Sequence, residues 1–421
     1  MQKHQNWARN YTYNVTEIHT PETLEQVQEI VVRSTRIKPL GTRHSFNGIA
    51  DSNGVHLSLQ KLNRLIDFDL KRNKVTVEGG VRYGDLCTYL NNHGYALHNL
   101  ASLPHISVAG ACATGTHGSG DRNGSLATAV HSMEIVTADG NVVTFSRDLQ
   151  NDEFAGAVVS LGGIGIVTKI TLDVVSSFNV SQSVYENLPL VQLKDHFDDI
   201  FSSAYSVSLF TDWKDESFNQ LWVKQKLTNS APVQTEPSLF GATLASTSKH
   251  PVPGLGSENC SEQMGIPGPW HERLPHFRMD FTPSAGDELQ SEYLVPRQYA
   301  YDALTAIQGI RTSISPLLHI CEIRSVAADE LWMSPCYMQD SVAIHFTWKA
   351  DWPSVQQVLP VIEQRLQPYH ARPHWGKLFA MNPERLQQLF VKLPDFRQMV
   401  SRYDPQGKFR NSFLDRYIMG C

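Results

Sequence analysis

The sequence contains little cysteine and no long uninterrupted apolar run. Its six cysteines are scattered through 421 residues without a C-x-x-C pair, so we expect reduced thiols rather than a disulfide framework. The most apolar stretch, residues 154–172 (FAGAVVSLGGIGIVTKITL), is broken by glycines, which argues against a membrane-spanning helix. The first residues, MQKHQNWARNY, lack the apolar segment of a secretory signal. Together these absences predict a cytoplasmic protein with no membrane partner.

Basic residues are fewer than acidic residues in this sequence. Lys and Arg number 36 against 42 Asp and Glu, which gives a net charge of -6 and an isoelectric point near 6.3. A chain of this charge is not expected to have nucleic acid as its main partner. Internal repeats and low-complexity segments are absent, and the length of 421 residues suggests two or three domains. We expect a monomer that acts on a small molecule.

Several common catalytic motifs are missing. The segment GTHGSG, residues 115–120, does not have the G-x-G-x-x-G spacing of an NAD-binding Rossmann turn. In HERLPH, residues 271–276, the histidines lie five apart and Pro275 interrupts the segment, so it is not an H-E-x-x-H zinc motif. A G-x-S-x-G nucleophile elbow is also absent. We therefore expect neither a metal site nor an NAD-dependent enzyme.

The pattern of helices and strands predicts an α+β chain in three parts. In HTPETLEQVQEIVVRS, residues 19–34, Thr20 and Pro21 predict the start of an amphipathic helix. Asp139-Gly140 predicts a hairpin turn between two β-rich runs. Residues 226–290 are rich in Pro, Gly and Ser and predict long loops. We place a first domain at 1–175, a second at 176–372, and a C-terminal segment at 373–421 that returns to the first domain.

Two glycine-containing loops stand out in the first domain. They are PLGTRHSFNGIAD, residues 39–51, and NLASLPHISVAGACATGTHGSG, residues 99–120. Glycines and small hydroxyl residues let backbone N–H groups approach an anion closely, and a pyrophosphate suits such a site. The alternative is that both are tight turns in a β-rich domain.

Two predicted strands of the second domain each carry polar residues on one face. Glu322 and Arg324 lie two apart in EIRSV, and His345 and Thr347 lie two apart in AIHFTW, so each pair shares a face of its strand. The opposite face of the second strand is an apolar core face, formed by Val342, Ile344, Phe346 and Trp348. The polar faces line either a binding site or the solvent.

The chain resembles the vanillyl-alcohol-oxidase-type flavoprotein family, and within it the alditol oxidase branch. The resemblance is carried in order by GTRHSFNGIAD, NLASLPHISVAGACATGTHGSG, SLGGIGIVTKITLDV, EIRSV, AIHFTW and HWGKLF, from residue 41 to residue 379. It implies a two-domain α+β fold, in which a PCMH-type FAD-binding domain is followed by a substrate-binding cap. The implied cofactor is FAD, attached covalently through its 8α-methyl group to His44.

The resemblance also implies which residues contact the flavin. Val167 corresponds to an adenine and flavin-edge contact, and Ala101 to a small residue that affects oxygen access. Alanine at this position does not settle the electron acceptor. The other implied cofactor contacts are Gly41, Thr42, Arg43, Ser45, Ser102, His105, Ser107, Gly110, Thr114, Gly115, His117 and Gly118.

By the same resemblance the substrate lies over the flavin ring. Arg324 and Lys377 are expected to stabilise a developing alkoxide, and either His345 or Lys377 to relay the hydroxyl proton. The implied reaction oxidises the terminal primary alcohol of an alditol such as xylitol or sorbitol to the aldose, and reduces oxygen to hydrogen peroxide. A sugar-1,4-lactone oxidase or dehydrogenase and a non-catalytic flavin- or sugar-binding protein remain alternatives. The implied substrate contacts are Ser102, Glu322, Arg324, His345, Thr347 and Lys377.

Overall fold

The computed structural model describes residues 4–149, 152–227, 235–281 and 288–420. Ten short strands belong to the N-terminal part: β1 (Glu17–His19), β2 (Ile37–Leu40), β3 (Val55–Ser58), β4 (Leu65–Asp69), β5 (Lys74–Glu78), β6 (Tyr95–Ala96), β7 (Val130–Val136), β8 (Val142–Ser146), β9 (Ile166–Asp173) and β10 (Val175–Ser176). β1 and β2 lie parallel to β3 on either side of it. β4, β5, β9, β7 and β8 form an antiparallel five-stranded sheet in that order, and β6 pairs with β10.

A larger antiparallel sheet of ten strands follows. Its strands are β11 (Asn179–Pro189), β12 (Ser206–Thr211), β13 (Ser217–Leu227), β14 (Ser238–Leu239), β15 (Ala242–Leu244), β16 (Gly268–Pro269), β17 (Glu288–Pro296), β18 (Leu318–Val326), β19 (Ser341–Lys349) and β20 (Arg372–Pro373). The order across the sheet is β14-β15-β11-β13-β12-β18-β19-β17-β20, and β16 pairs with the first two residues of β11. Strands far apart in the chain, such as β12 and β18, are therefore neighbours in space.

Helices cover these sheets. They are α1 (Leu24–Arg33), α2 (Tyr83–Asn92), α3 (Val108–Ala113), α4 (Glu153–Val158), α5 (Gln192–Ser202), α6 (Trp270–Arg273), α7 (Ala300–Gln308), α8 (Arg311–Ile314), α9 (Trp352–Leu366), α10 (Pro383–Leu389), α11 (Leu393–Tyr403) and α12 (Ser412–Leu414). Among the described residues, no helix combines the length and apolar character that crossing a bilayer requires. Of the six cysteines, the five that the structure describes are buried and free, whereas Cys421 lies outside the described residues.

The hairpin prediction is confirmed, and the prediction of the first helix needs one correction. The hairpin at Asp139-Gly140 joins β7 to β8, and Gly140 has the positive φ of 85° that the turn requires. The first helix, however, begins at Leu24 rather than near Pro21. Its N-cap is Thr23, whose hydroxyl accepts the backbone N–H of Gln26 at 3.3 Å. Several hydroxyl residues precede this helix, and only the local backbone geometry decides which of them caps it.

Two large hydrophobic cores pack helices against the sheets. One packs α2 and α4 against the five-stranded sheet, and includes residues from α10, α11 and α12. The second fills the space between the large sheet and helices α5, α7 and α9. This second core includes the fully buried apolar face of β19, formed by Val342, Ile344, Phe346 and Trp348. The opposite face of β18 and β19 therefore turns away from that core, toward the N-terminal part of the chain.

The register of the central strands aligns three ionisable residues. His345 on β19 pairs with Glu322 on β18 and with Glu292 on β17. Directly paired residues of antiparallel strands place their side chains on the same face of the sheet. Glu292, His345 and Glu322 consequently form a row across the sheet, with Gln290 and Thr347 paired beside it.

Candidate active site

A cavity of about 1290 Å³ lies between the N-terminal part and the large sheet. Both glycine loops and the polar faces of β17, β18 and β19 line it. The cavity thus brings together two features that lie far apart in the sequence.

The first glycine loop carries His44 into this cavity. Arg43 has a φ of 64°, a left-handed conformation, and its carbonyl accepts the N–H of Trp7 at 2.8 Å. The Trp7 ring stacks on the imidazole of His44 at 5.3 Å between centroids, and Nδ1 of His44 lies 3.0 Å from Oγ1 of Thr42. Burial, assisted by the nearby charge of Lys377, lowers the pKa of His44 to about 4. His44 is therefore a neutral, oriented imidazole at physiological pH.

The two glycine loops meet at Ser107. A Cβ atom added to Gly41 or to Gly110 would lie 2.8 Å from Oγ of Ser107, closer than side chains normally approach. The backbone N–H of Ser107 also points to Oγ1 of Thr42, at 3.3 Å. Glycine at both positions therefore allows the loops to pack together, and leaves the cavity wall open to a large ligand.

Most of the implied cofactor residues form this wall. Gly115 and Gly118 do not: Gly115 faces Pro335, and a Cβ on Gly118 would lie 2.3 Å from the carbonyl oxygen of Leu100. These two glycines serve the close packing of the loop backbone. The implied residues that do line the cavity are Gly41, Thr42, Arg43, His44, Ser45, Ala101, Ser102, His105, Ser107, Gly110, Thr114, His117 and Val167.

All six implied substrate residues also line the cavity: Ser102, Glu322, Arg324, His345, Thr347 and Lys377. Nη1 of Arg324 lies 3.5 Å from Oγ of Ser102, and Oγ1 of Thr347 lies 3.3 Å from Nε2 of His345. Lys377 contacts Oε1 of Gln290, and its ammonium lies 5.1 Å from the centre of the Phe46 ring. The strands and the separate 374–377 segment thus present donors and acceptors to one space.

Glu292 organises this polar set, although the sequence analysis did not single it out. The side chain is 2% exposed. Its Oε1 lies 2.7 Å from Nε2 of His117 and 3.1 Å from Nη2 of Arg324, and its Oε2 lies 2.9 Å from Nδ1 of His345. Burial favours the neutral acid, but His117, His345 and Arg324 outweigh it and hold the pKa of Glu292 well below its usual range.

The protonation states around Glu292 follow from these contacts. Burial lowers the pKa of His345 despite the neighbouring carboxylate. Because Nδ1 of His345 faces Glu292, its Nε2 is directed to Thr347 and the cavity. Burial also lowers the pKa of Lys377, to about 8. For Glu322, burial is outweighed by Arg324 and His276, which hold its pKa far below the usual range.

The sequence contained a weak signal for the residues that were missed. Gln290 and Glu292 alternate with buried residues in ELQSEYLVP, and a carboxylate in such an apolar strand requires a partner. The signal does not identify that partner. Other cavity residues that the sequence analysis did not assign are Gln290, His276 and His374.

Comparison with known proteins identifies the protein family. Residues 16–146 match the family model of an FAD binding domain, and residues 287–417 match that of D-arabinono-1,4-lactone oxidase. An alditol oxidase from a Streptomyces species is 48% identical over 418 residues, covering 99% of each chain. The chain belongs to the alditol oxidase family. It is an FAD-dependent oxidoreductase of the vanillyl-alcohol-oxidase type, as the sequence motifs predicted.

More distant relatives agree with this family. L-gulonolactone oxidase from Mus musculus is 25% identical over 440 residues, covering 98% of this chain and 97% of that protein. Among solved structures, cholesterol oxidase from B. sterolicum superposes with a TM-score of 0.78 at 15% identity, covering 99% and 96% of the chains. A xylooligosaccharide oxidase from Myceliophthora thermophila, solved with xylobiose, gives 0.74 at 16% identity, covering 96% and 92%. The predicted α+β, two-domain FAD-binding fold class is confirmed.

The cavity wall suits FAD. Close backbone packing at Gly41 and Gly110 clears room for a large dinucleotide, and small residues such as Ala101 and Ala113 line the same space. The neutral imidazole of His44 faces that space from the first loop. The donors of Arg43 and the hydroxyls of Thr42 and Ser107 match an anionic, hydroxyl-rich cofactor.

Proposed function

We propose that the protein oxidises the terminal primary alcohol of an alditol to the aldose, with oxygen reduced to hydrogen peroxide. One observation carries this proposal: a row of ionisable side chains crosses the cavity that the two glycine loops line. The row is Glu292, His345 and Glu322, and Arg324, Thr347 and Lys377 surround it. An alditol is neutral and carries a hydroxyl on every carbon. A set of fixed donors and acceptors suits it, because each unpaired polar group in a closed site costs about 1–3 kcal/mol.

Each residue has a role that its contacts allow. Glu322 is ionised and accepts hydrogen bonds from substrate hydroxyls, while Thr347 and Ser102 donate or accept. Arg324 is held by Glu292 and directs its guanidinium toward Ser102, where it stabilises negative charge on the reacting oxygen. Bound FAD supplies the hydride acceptor for the alcohol carbon.

Two groups are candidates for accepting the hydroxyl proton. Lys377, with a pKa of about 8, is partly neutral in mildly alkaline solution. Nε2 of His345 is the other candidate, because Nδ1 of that ring is occupied by Glu292. These two alternatives predict different dependences of kcat/KM on pH.

We further propose that His44 carries FAD covalently through the 8α-methyl group. Two observations support this. The ring lines the cavity, and its lowered pKa keeps a nitrogen lone pair free for bond formation at neutral pH. Stacking on Trp7 and the contact with Thr42 hold the ring in place.

A second candidate function is oxidation of a sugar-1,4-lactone. The match of residues 287–417 to the D-arabinono-1,4-lactone oxidase family favours it. A screen of the purified holoenzyme against xylitol, sorbitol, mannitol, glycerol and 1,4-lactones, read by peroxide release, separates the two. We expect polyols to be oxidised with stoichiometric peroxide. Faster turnover of a lactone than of any polyol would assign the second function.

The proposal also covers cellular location, oligomeric state and partners. We propose a cytoplasmic monomer whose partners are the polyol and oxygen. Gel filtration with light scattering tests the monomer, and flavin reoxidation by oxygen compared with artificial acceptors tests the electron acceptor.

A further inference from the structure

His276 packs on the cavity face of the large sheet, beside Glu322. It follows α6, in the HERLPH segment, and is 5% exposed. Its Nε2 lies 2.6 Å from Oε1 of Glu322. The imidazole is enclosed by the rings of Phe210 and Trp222, with centroids 5.5 and 5.3 Å away and the ring planes nearly perpendicular. The ring therefore has a single position from which to contact Glu322.

The other nitrogen of this ring faces a buried lysine. Lys224, on β13, is 1% exposed, and its Nζ lies 3.3 Å from Nδ1 of His276. The same Nζ donates to three backbone carbonyls, of Arg273 at 2.9 Å, Leu274 at 2.6 Å and Pro275 at 3.1 Å. Burial lowers the pKa of Lys224 to about 7. The contacts nevertheless favour the charged form of Lys224. An ammonium has three N–H bonds, one for each carbonyl, whereas a neutral amine has two and would leave one carbonyl unpaired.

This arrangement selects one tautomer of His276. An ammonium has no lone pair, so it cannot accept a hydrogen bond from an N–H on Nδ1. The proton of the neutral ring therefore sits on Nε2, where it is donated to Glu322. Burial lowers the pKa of His276, which agrees with a neutral ring.

The tautomer in turn decides how Glu322 is presented to the cavity. Oε1 of Glu322 accepts from His276 and also lies 3.6 Å from Nε of Arg324. Within the part of the chain that the structure describes, Oε2 of Glu322 has no hydrogen-bond partner, and the side chain lines the cavity. One oxygen is thus held by the protein, and the other is left for a ligand hydroxyl.

We propose that His276, kept in its Nε2–H tautomer by Lys224, is a positioning residue that orients Glu322 and thereby sets the preference for longer polyols. This inference rests on the proposed polyol oxidation. Without the bond from His276, the Glu322 carboxylate turns both oxygens toward Arg324 and withdraws from the substrate. The extra hydroxyls of a longer polyol then lose their acceptor.

Kinetics of matched variants test the proposal. His276→Phe removes the donor but keeps a flat ring. His276→Gln retains a donor to Glu322 in its amide N–H, and its carbonyl oxygen can face the Lys224 ammonium without opposing it. We expect His276→Phe to raise KM for xylitol roughly 10–100-fold, the effect of losing a hydrogen bond to a charged group, with a smaller change in kcat. In His276→Phe the ratio of kcat/KM for xylitol to that for glycerol also falls. His276→Gln restores most of the wild-type KM and most of this ratio.

The control is His271→Gln, in the same segment. His271 is partly buried beside Trp270 and does not line the cavity, so its replacement leaves KM unchanged. A KM for xylitol that stays at the wild-type value in folded His276→Phe enzyme would overturn the proposal. If wild-type enzyme oxidises no polyol, the proposed function fails instead, and the tautomer of His276 is tested by NMR without any substrate.

Nitrogen NMR of the holoenzyme labelled with ¹⁵N-histidine reads the tautomer directly, with the His276 signal assigned by its loss in His276→Gln. At slightly acidic pH we expect a protonated Nε2 and an unprotonated Nδ1. In Lys224→Met, which removes the ammonium, this preference is lost. A wild-type ring protonated on Nδ1 would contradict the proposal.

Discussion

Nε2 of His117 lies 2.7 Å from Oε1 of Glu292, which joins the second glycine loop to the central strands of the large sheet. Nδ1 of His117 lies 2.9 Å from the carbonyl oxygen of Gly118, so both ring nitrogens face acceptors. The same carboxylate also contacts Arg324 and His345. One buried side chain therefore ties the flavin loop to the substrate residues, and positions both relative to each other.

Replacing Glu292 with Gln leaves the buried Arg324 with only the more distant carboxylate of Glu322, 3.6 Å from its Nε, as a counter-charge. We expect a loss of stability of about 3–5 kcal/mol, the usual cost of removing one partner of a buried ion pair. We also expect a fall in kcat/KM, since Arg324 and His345 lose their orientation. Thermal unfolding and steady-state kinetics of the holoenzyme measure these effects. The matched control is Glu363→Gln, a partly buried carboxyl that accepts from the hydroxyl of Tyr293 at 2.9 Å, whose replacement should leave kcat/KM unchanged.

The contribution of Glu292 to stability should also depend on pH. Its pKa is depressed in the folded protein, so the stabilisation is complete above the unfolded value of about 4.3 and is lost as pH falls through the lower folded value. The stability difference between wild type and Glu292→Gln should therefore be constant near neutrality and shrink in acid. A difference that is unchanged down to the pH of acid unfolding would contradict the assigned ionisation.

Loss of His44 should release the flavin. In-gel fluorescence of denatured wild-type protein should show a band that His44→Ala lacks. His105→Ala is the control, because His105 lines the same cavity and should leave the fluorescent band intact. Free FAD recovered from acid-precipitated wild-type protein would show that the linkage does not exist.

Truncation of Arg324 should affect the chemical step more than binding. Because only interactions that strengthen in the transition state raise kcat, Arg324→Ala should lower kcat roughly 10²–10³-fold, as for other removed donors to a developing negative charge. Anaerobic flavin reduction, followed by stopped-flow absorbance, isolates that step. A change confined to KM would assign Arg324 to simple substrate binding.

The pH profile should identify the proton acceptor. A general base works in its unprotonated form, so with Lys377 in this role kcat/KM rises as pH increases through about 8. Lys377→Arg, which keeps the charge but does not deprotonate, should abolish that rise. If His345 is the base, its lowered pKa predicts a flat profile above neutrality in wild type, with the loss of rate appearing in His345→Gln.

The product should report how the substrate lies. With donors and acceptors spread along β17, β18 and β19, we expect an extended polyol whose terminal carbon reacts, so that xylitol gives an aldose. Each additional well-placed hydroxyl should add roughly 0.5–1.5 kcal/mol of binding, and kcat/KM should rise from glycerol to xylitol. NMR of the product decides, since a ketose would mean that an internal carbon reacts.

The sequence by itself determined the local features of this protein. Alternation along residues 341–349 separates an apolar core face from the polar pair His345 and Thr347, because successive side chains of a strand point to opposite sides. The Asp139-Gly140 turn and the glycines at 41 and 110 are local as well, since each depends on its own backbone conformation or small size. The family motifs added the cofactor and the chemistry.

Only the tertiary structure decided which of these features meet. The contact of Glu292 with His345 depends on the order and register of strands far apart in the chain. So do the contacts of His276 with Lys224 and Glu322. A sequence pattern reports which way a side chain faces, but not what it faces. The partners of buried charges are set by long-range pairing, and burial makes those partners decisive for ionisation, tautomer and function.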